Sequence, residues 1–221
     1  MKAISRFLLT LAITSTILHG CGSTPTTIPI SEKSNNELIE FLETFKESNN
    51  DITPYSFRET IDELKRRGSL ASETAPTLAR AIAFDRRDSV IASEALIAIG
   101  TRAKSAIPYL VQNMNSSRAD VRLFSTFVLG IIGEPSNCAV PQIASLLWDT
   151  DPFVRSTSAG ALTEITNNNL LEFDDLRLNP STPGSVNADT PDGSITGIAR
   201  EWWLNSGQSV IWPTENCMLP Q

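Results

Sequence analysis

The chain has 221 residues, of which 41% are hydrophobic and 19% are charged, so it can form a packed core and is not a disordered protein. Its 18 basic residues against 25 acidic ones give a net charge of −7, which argues against a protein that neutralises nucleic-acid phosphates. Three cysteines are too few for a scaffold held together by disulfides. The composition therefore indicates an acidic globular protein of one ordinary domain or two small ones.

Residues 1–20 have the layout of a secretory signal. Lys2 and Arg6 precede about a dozen mainly apolar residues, a run shorter than the ~20 that a membrane span needs. The sequence LHGC at 18–21 follows and resembles the bacterial lipoprotein box, although a histidine stands where a small residue is usual. This resemblance implies that Cys21 is lipidated after cleavage in front of it. An ordinary signal peptide and an uncleaved anchor are the alternatives.

Cleavage before Cys21 would place the protein in the cell envelope, anchored to the extracytoplasmic side of a membrane. The cleaved segment contains Lys2, Arg6 and the one histidine, so the mature chain has 16 basic residues, 25 acidic residues and a net charge of −9. Residues 21–35 are rich in Ser, Thr and Pro and are predicted to form a tether, which would span roughly 40 Å when extended.

Two capping boxes mark the start of the helical region. Ser34 with Glu37 precedes an amphipathic stripe, and Ser56 with Glu59 opens the first repeating unit. The stripe consists of Leu38, Phe41, Leu42 and Phe45. A helix at this position would cover the open N-terminal end of the repeats that follow.

The sequence over 36–166 repeats with a period of 32 to 33 residues. Three kinds of residue recur with this period: a leucine, a glycine four residues later and a proline eight residues after the glycine. The members are Leu64, Leu96, Leu129 and Leu162; Gly68, Gly100 and Gly133; and Pro76, Pro108 and Pro141. Several positions in one register predict a repeat array.

Each unit is predicted to be a pair of helices. In the third unit, Val121, Val128 and Leu129 lie on one helical stripe. Gly133 ends the first helix, because glycine adopts a positive φ at the least cost. A short turn then leads to Pro141, which suits the start of the second helix because its missing N–H would have had no partner there.

The pattern resembles HEAT repeats, in particular the bacterial phycobilisome-lyase-like kind. The residues that carry the resemblance are Val121-Arg122, Val128-Leu129, Ile132-Gly133 and Val140-Pro141, with a second match at Val154-Arg155 and Ala161-Leu162. It covers roughly residues 54–166 and implies an all-α fold, an α-solenoid of about four helical hairpins. It also implies that Arg122 and Arg155 bridge neighbouring repeats. Arg67 departs from the pattern, which has an aliphatic residue there.

After Asn169 the repeat signal fades. Residues 167–221 are predicted to form an irregular excursion, mainly over 172–194, and then a capping helix at about 195–206. Cys138 and Cys217 would both enter an oxidising compartment on export. Whether they pair is left open, because the sequence does not give their separation in space.

The mature chain offers little catalytic chemistry. Without a histidine it has no Ser-His or Cys-His nucleophile pair and no histidine-ligated metal site. Cys138 and Cys217 are too few for a four-cysteine zinc site. Asp149 and Asp151 lie between two units, where an aspartate caps the next helix. We therefore expect no cofactor and no metal.

The outward positions of the second helices are polar or aromatic and mixed in charge, which suits contact with a protein. They are Thr77, Arg80, Tyr109, Gln112, Gln142, Ser145 and Trp148. The sequence thus predicts a non-catalytic, lipid-anchored interaction module of the bacterial envelope, which presents a concave surface to a protein partner and binds no nucleic acid. The alternatives are a lyase-related HEAT-repeat enzyme, a chaperone of a pigment–protein complex, and a purely structural envelope component.

Overall fold

The computed structural model describes residues 28–47, 56–167 and 195–219. Within these ranges 82% of the residues are helical and none lies in a strand, which confirms the all-α prediction for this part of the chain. The predicted signal over 1–20, the predicted lipidation site Cys21 and the predicted excursion over 172–194 lie outside the described residues. No helix in the described ranges is both long enough and apolar enough to cross a bilayer.

Four long helices recur in the register of the sequence repeat, and the first three are each followed by a short helix. The long ones are α2 (Phe57–Arg67), α4 (Arg86–Ile99), α6 (Ala119–Ile132) and α8 (Pro152–Thr166). The short ones are α3 (Ala75–Ala81), α5 (Ile107–Asn113) and α7 (Val140–Ser145). Before and after them lie α1 (Asn35–Glu47) and α9 (Ile195–Asn205).

The long helices pack on one another in chain order: α2 on α4, α4 on α6, and α6 on α8. The leucine at the repeat position is fully buried in all four, and so is the matching aliphatic residue of each short helix. These residues are Leu64, Leu96, Leu129 and Leu162, with Leu78, Leu110 and Ile143. Each apolar stripe therefore meets the stripe of the next unit, and together they form one hydrophobic core.

Glycines end the long helices as predicted. Gly68, Gly100 and Gly133 have φ values of 54°, 67° and 77°, a region that costs glycine less than other residues. In the last of the long helices, α8, the residue that ends the helix lies one position later than in the other three. It is Asn167, with φ 48° and ψ 20°. Asparagine tolerates this left-handed conformation better than most residues, so Thr166 stays inside the helix.

The connection between the two helices of a unit differs from the predicted short turn. It is a 3-10 helix of six or seven residues, over Gly68–Thr74, Gly100–Ala106 and Glu134–Ala139. Each contains a fully buried small residue at the matched position, which leaves no room for a larger side chain. These residues are Ala71, Ala103 and Ser136. The predicted prolines lie at the starts of α3, α5 and α7.

The tether predicted over 21–35 is too long at its C-terminal end. Ile30–Glu32 forms a 3-10 turn that is held against the end of α2. Arg67 donates hydrogen bonds to the carbonyl oxygen of Lys33 at 2.7 Å and to Oδ1 of Asn35 at 2.7 Å. The arginine that departs from the repeat pattern therefore anchors the N-terminal segment, and a free tether can only precede Ile30.

Both capping boxes form. The Ser34 N–H donates to the Glu37 carboxylate at 2.8 Å, and the Ser56 N–H donates to Glu59 at the same distance. The serine hydroxyls accept hydrogen bonds from the glutamate N–H groups in return. These contacts satisfy N–H groups that a helix start leaves without a partner.

The predicted C-terminal capping helix is present as α9, which packs on α8. Ala199 on this helix is fully buried. Arg200 donates two hydrogen bonds to the carbonyl oxygen of Leu147, at 2.6 and 3.0 Å. The last long helix is therefore covered by the end of the chain, and α9 is fixed to the backbone that precedes α8.

Close contact between α6 and α8 predicts opposite effects at two glycines. A Cβ atom added at Gly130 would lie 3.1 Å from the Ala161 Cα atom, whereas one added at Gly160 would meet no atom within 4 Å. We expect Gly130→Val to lower the free energy of unfolding by about 1–3 kcal/mol through overpacking. Gly160→Ala should raise it by about 0.5–1 kcal/mol, because alanine is the better helix former.

Urea denaturation of both variants measures the two effects, with Gly160→Ala as the matched control. Equal stabilisation by the two substitutions would contradict the close approach of α6 and α8 at Gly130.

Candidate interaction surface

The outward side chains of the short helices form a surface that we call the second-helix surface. Its residues are Arg80 on α3, Tyr109 and Gln112 on α5, Gln142 and Ser145 on α7, and Trp148 in the turn Leu146–Trp148. The opposite faces of the same helices carry the buried residues of the core. The helical period of 3.6 residues explains why the polar and aromatic positions face outward together.

Arg80 and Tyr109 are brought together by the packing of α3 on α5. The guanidinium group of Arg80 lies 5.5 Å from the centre of the Tyr109 ring, within the range of a cation–π contact. It also donates to Glu43 of α1 at 2.7 Å and to the hydroxyl of the buried Thr77 at 3.0 Å. Glu43 was missed by sequence reasoning, because no local pattern shows which face of α1 meets α3.

Gln112, Gln142 and Ser145 are exposed. The Ser145 hydroxyl donates to the carbonyl oxygen of Gln142 at 2.6 Å, so it is used within its own helix. The two glutamine amides point away from the core and can exchange hydrogen bonds with a partner, since each has donors and acceptors.

Trp148 is 49% exposed, and the guanidinium group of Arg200 lies 5.5 Å from its ring centre. An arginine of the capping helix thus covers one side of the tryptophan. Tyr109 and Trp148 each have a different arginine as a neighbour, and no contact between the two rings occurs in the described part of the chain. The structure therefore has two separate aromatic–arginine pairs instead of one aromatic pocket.

The pairing of Cys138 with Cys217, left open by the sequence, is made in the structure. The two residues form a disulfide with their Cα atoms 5.8 Å apart, across 79 residues of sequence. The turn Glu215–Cys217 lies against α5 and against Glu134–Ala139. The C-terminal segment therefore reaches α5, the helix that contributes Tyr109, and sequence patterns gave no signal for this.

The tryptophans at the end of the chain pack together. The Trp202 ring centre is 6.1 Å from that of Trp203 and 6.5 Å from that of Trp212. Gly207 lies against these rings, and a Cβ atom there would be 2.7 Å from Trp203. All three rings are half-buried and pack against the core, which supports a role in closing the array.

Glu63 and Asp149 are two carboxylates with largely buried side chains, and both are paired with arginine. The Glu63 side chain is 6% exposed and accepts hydrogen bonds from Arg66 at 2.6 Å and Arg67 at 2.8 Å. The hydrogen bond from Arg66, helped by Arg67, lowers the pKa of Glu63 to about 2 although burial opposes this. A carboxylate in this state cannot act as a general acid near neutral pH.

Asp149 is held by Arg122, which donates to both of its carboxylate oxygens at 2.7 Å. Burial alone would raise the pKa of Asp149, but the hydrogen bonds from Arg122 and from the Asp151 N–H lower it below its usual value. Asp151 caps α8 by accepting from Phe153 N–H at 2.8 Å. Asp151 thus caps the next helix as predicted, whereas Asp149 binds Arg122 and the N–H of the capping residue instead.

Arg122 and Arg155 repeat one contact in successive units. Arg122 donates to the Ser116 carbonyl oxygen at 2.9 Å, and Arg155 donates to the Asp149 carbonyl oxygen at 2.8 Å, each six residues earlier. The carboxylate of Asp149, in the connection before α8, also binds Arg122. The two arginines therefore join α6, the following connection and α8.

A cleft of about 640 Å³ opens at the starts of α4, α6 and α8. Its three carboxylates are already engaged: Asp85 caps α4, Asp151 caps α8, and Asp120 lies 2.6 Å from Arg118. In the described ranges no three His, Cys, Asp or Glu side chains are grouped closely enough to hold a metal ion. Comparison with protein-family models, with curated proteins and with solved structures found no match for this chain.

The pairing of Glu63 predicts a specific acid sensitivity. Because its pKa is lowered on folding from 4.5 to about 2, the stabilisation is complete above pH 4.5 and is lost as the pH falls towards 2. It amounts to no more than about 3 kcal/mol. We expect Glu63→Gln to make the free energy of unfolding depend less on pH between 4.5 and 2.

Urea denaturation at a series of pH values measures this slope. Glu94→Gln is the control, because the ion pair of Glu94 with Lys65 is solvent-exposed and contributes little. An unchanged slope in Glu63→Gln would contradict the assignment.

Proposed function

We propose that this protein is a lipid-anchored, non-catalytic HEAT-repeat interaction module of the bacterial cell envelope. Its α-solenoid would present the second-helix surface to a protein partner. The observation that carries the proposal is the burial of Leu64, Leu96, Leu129 and Leu162 at the same position of four helices that pack in chain order. Stacked repeats of this kind typically serve as rigid binding surfaces.

The chemistry of the second-helix surface supports a protein as the partner. Tyrosine, tryptophan and arginine are enriched at protein interfaces, and here Tyr109 and Trp148 each lie beside an arginine. The ring positions are fixed before binding, which lowers the entropy cost of association. The acidic balance of the mature chain argues against nucleic acid.

The disulfide between Cys138 and Cys217 supports export, because such bonds persist mainly in oxidising compartments. It agrees with the signal sequence and with the lipoprotein box at Cys21. The pairing of Glu63 and Asp149 with arginines supports a non-catalytic role, since both carboxylates are kept ionised and occupied. A lyase-related activity and a purely structural role are competing proposals that the experiments below discriminate. A chaperone of a pigment–protein complex would also capture a protein, and the identity of that protein would distinguish it.

The anchor is tested by metabolic labelling with a fatty-acid analogue. We expect the full-length protein to incorporate the label and Cys21→Ala to lose it, because thioether attachment requires the cysteine thiol. Cys217→Ala is the control, since it removes a cysteine elsewhere. Equal labelling of the full-length protein and Cys21→Ala would contradict lipidation at this residue.

The interaction surface is tested with purified residues 22–221 and crosslinking capture from envelope extracts. Once a partner is identified, Tyr109→Ala and Trp148→Ala should each weaken binding at least about tenfold, as expected for interface hot spots. Phe127→Ala is the matched control, because this aromatic residue is 44% exposed but lies on α6, outside the second-helix surface.

An equal loss of binding in Phe127→Ala would indicate that the partner also contacts the long helices, outside the second-helix surface. A measured turnover of a small molecule, together with no captured protein, would favour the enzyme. The absence of both a captured protein and a measured turnover would favour the structural component. Thermal denaturation of each variant ensures that the comparison is made between folded proteins.

A further inference from the structure

The C-terminal segment after Trp212 lies against α5, one of the short helices. Its turn Glu215–Cys217 contacts α5 and Glu134–Ala139. The short helices α3 and α5 pack on each other, and the C-terminal turn lies against α5 as well. The chain itself therefore occupies part of the surface of α5, the helix that carries Tyr109 and Gln112.

Noncovalent contacts hold this segment weakly. Its apolar side chains mostly face solvent: Met218 is 65% exposed and Leu219 is 46% exposed. Among the described residues, its hydrogen bond to the repeats is the one from Asn216 Nδ2 to the Pro135 carbonyl oxygen at 3.2 Å. Little apolar surface is buried, so hydrophobic stabilisation of the seated segment is small. The disulfide to the buried Cys138 is thus its main attachment.

The other end of the segment is fixed to the capping helix. Trp212 donates from Nε1 to the Gly207 carbonyl oxygen at 3.0 Å and packs against Trp202. Residues 213–216 therefore connect a fixed point at Trp212 to the covalent bond at Cys217. If that bond opens, residues 213–219 can extend up to about 20 Å from Trp212, since an extended chain advances ~3.3 Å per residue.

We propose that the Cys138–Cys217 disulfide is a clasp that holds the C-terminal segment against α5, and that its reduction releases the segment and uncovers the part of α5 beneath it. The movement of the segment itself requires no partner.

The chemistry is thiol–disulfide exchange with a dithiol reductant. One thiolate of the reductant attacks a sulfur of the disulfide, and the second thiolate resolves the mixed disulfide. Two electrons pass to the protein, the bond between the Cys138 and Cys217 sulfur atoms breaks, and each cysteine ends as a thiol with one proton. The reductant leaves as its own disulfide.

The test uses residues 22–221, which contain Cys138 and Cys217 and lack Cys21. The rate at which a maleimide labels Cys138 is measured in Cys217→Ser and in a variant that ends at Pro213. The truncated variant gives the rate for a Cys138 that no segment covers. Wild-type protein reduced with dithiothreitol and then desalted shows that reduction has the same effect as the substitution.

We expect the Cys138 labelling rate in Cys217→Ser to lie within about a factor of two of the rate in the truncated variant, because the segment leaves once the bond is absent. A rate at least about tenfold slower than in the truncated variant would overturn the clasp, since the segment would then stay seated without the disulfide. Slow labelling of Cys138 in both variants, relative to denatured protein, would also overturn the clasp. Cys138 would then be covered by something other than the segment.

Far-UV circular dichroism at the labelling temperature ensures that both variants are folded. Because no partner takes part, a failure of this experiment leaves the capture experiment on Tyr109 and Trp148 unaffected. Failure to capture a partner likewise leaves the labelling result standing.

Discussion

The structure depends on one constraint: a single pair of helices has an apolar face that it cannot bury by itself. Leu96 on α4 is shielded only because α2 and α6 lie on either side, and Leu129 on α6 depends in the same way on α4 and α8. Burial is therefore shared between neighbours, and the period of the sequence becomes the period of the fold. The tight contact of Gly130 with Ala161 shows how closely α6 and α8 approach.

Arginine side chains supply hydrogen bonds to backbone carbonyl groups at several helix ends. Backbone carbonyl groups at helix ends have no intrahelical partner and need another donor. Three arginine guanidinium groups donate to such carbonyl oxygens on neighbouring parts of the chain. The pairs are Arg67 with Lys33 at 2.7 Å, Arg118 with Phe84 at 2.6 Å, and Arg200 with Leu147 at 2.6 Å. The same device thus fixes the N-terminal segment, an internal connection and the C-terminal cap.

The sequence predicted the features that are set by local patterns: the register, the glycine ends, the prolines and both capping boxes. It could not predict the features that depend on which faces meet. The 3-10 connections contain Ala71 and Ala103, whose burial is a tertiary effect. Glu43 beside Arg80 is likewise a tertiary contact. The tether was predicted too long because its bounds came from Ser, Thr and Pro content, which does not reveal that Arg67 binds the Lys33 carbonyl oxygen.

The disulfide affects two separate properties: the stability of the whole domain and the position of the C-terminal segment. Closing a loop across 79 residues lowers the entropy of the unfolded chain and so stabilises the whole domain, by about 4–5 kcal/mol in the chain-entropy description. This contribution exists whether or not residues 213–219 make contacts in the folded state. The hydrophobic core of the repeats consists mainly of aliphatic side chains, and Cys138 is one member of it. Loss of the bond can therefore lower the melting temperature and free the C-terminal segment while the repeats keep their native packing.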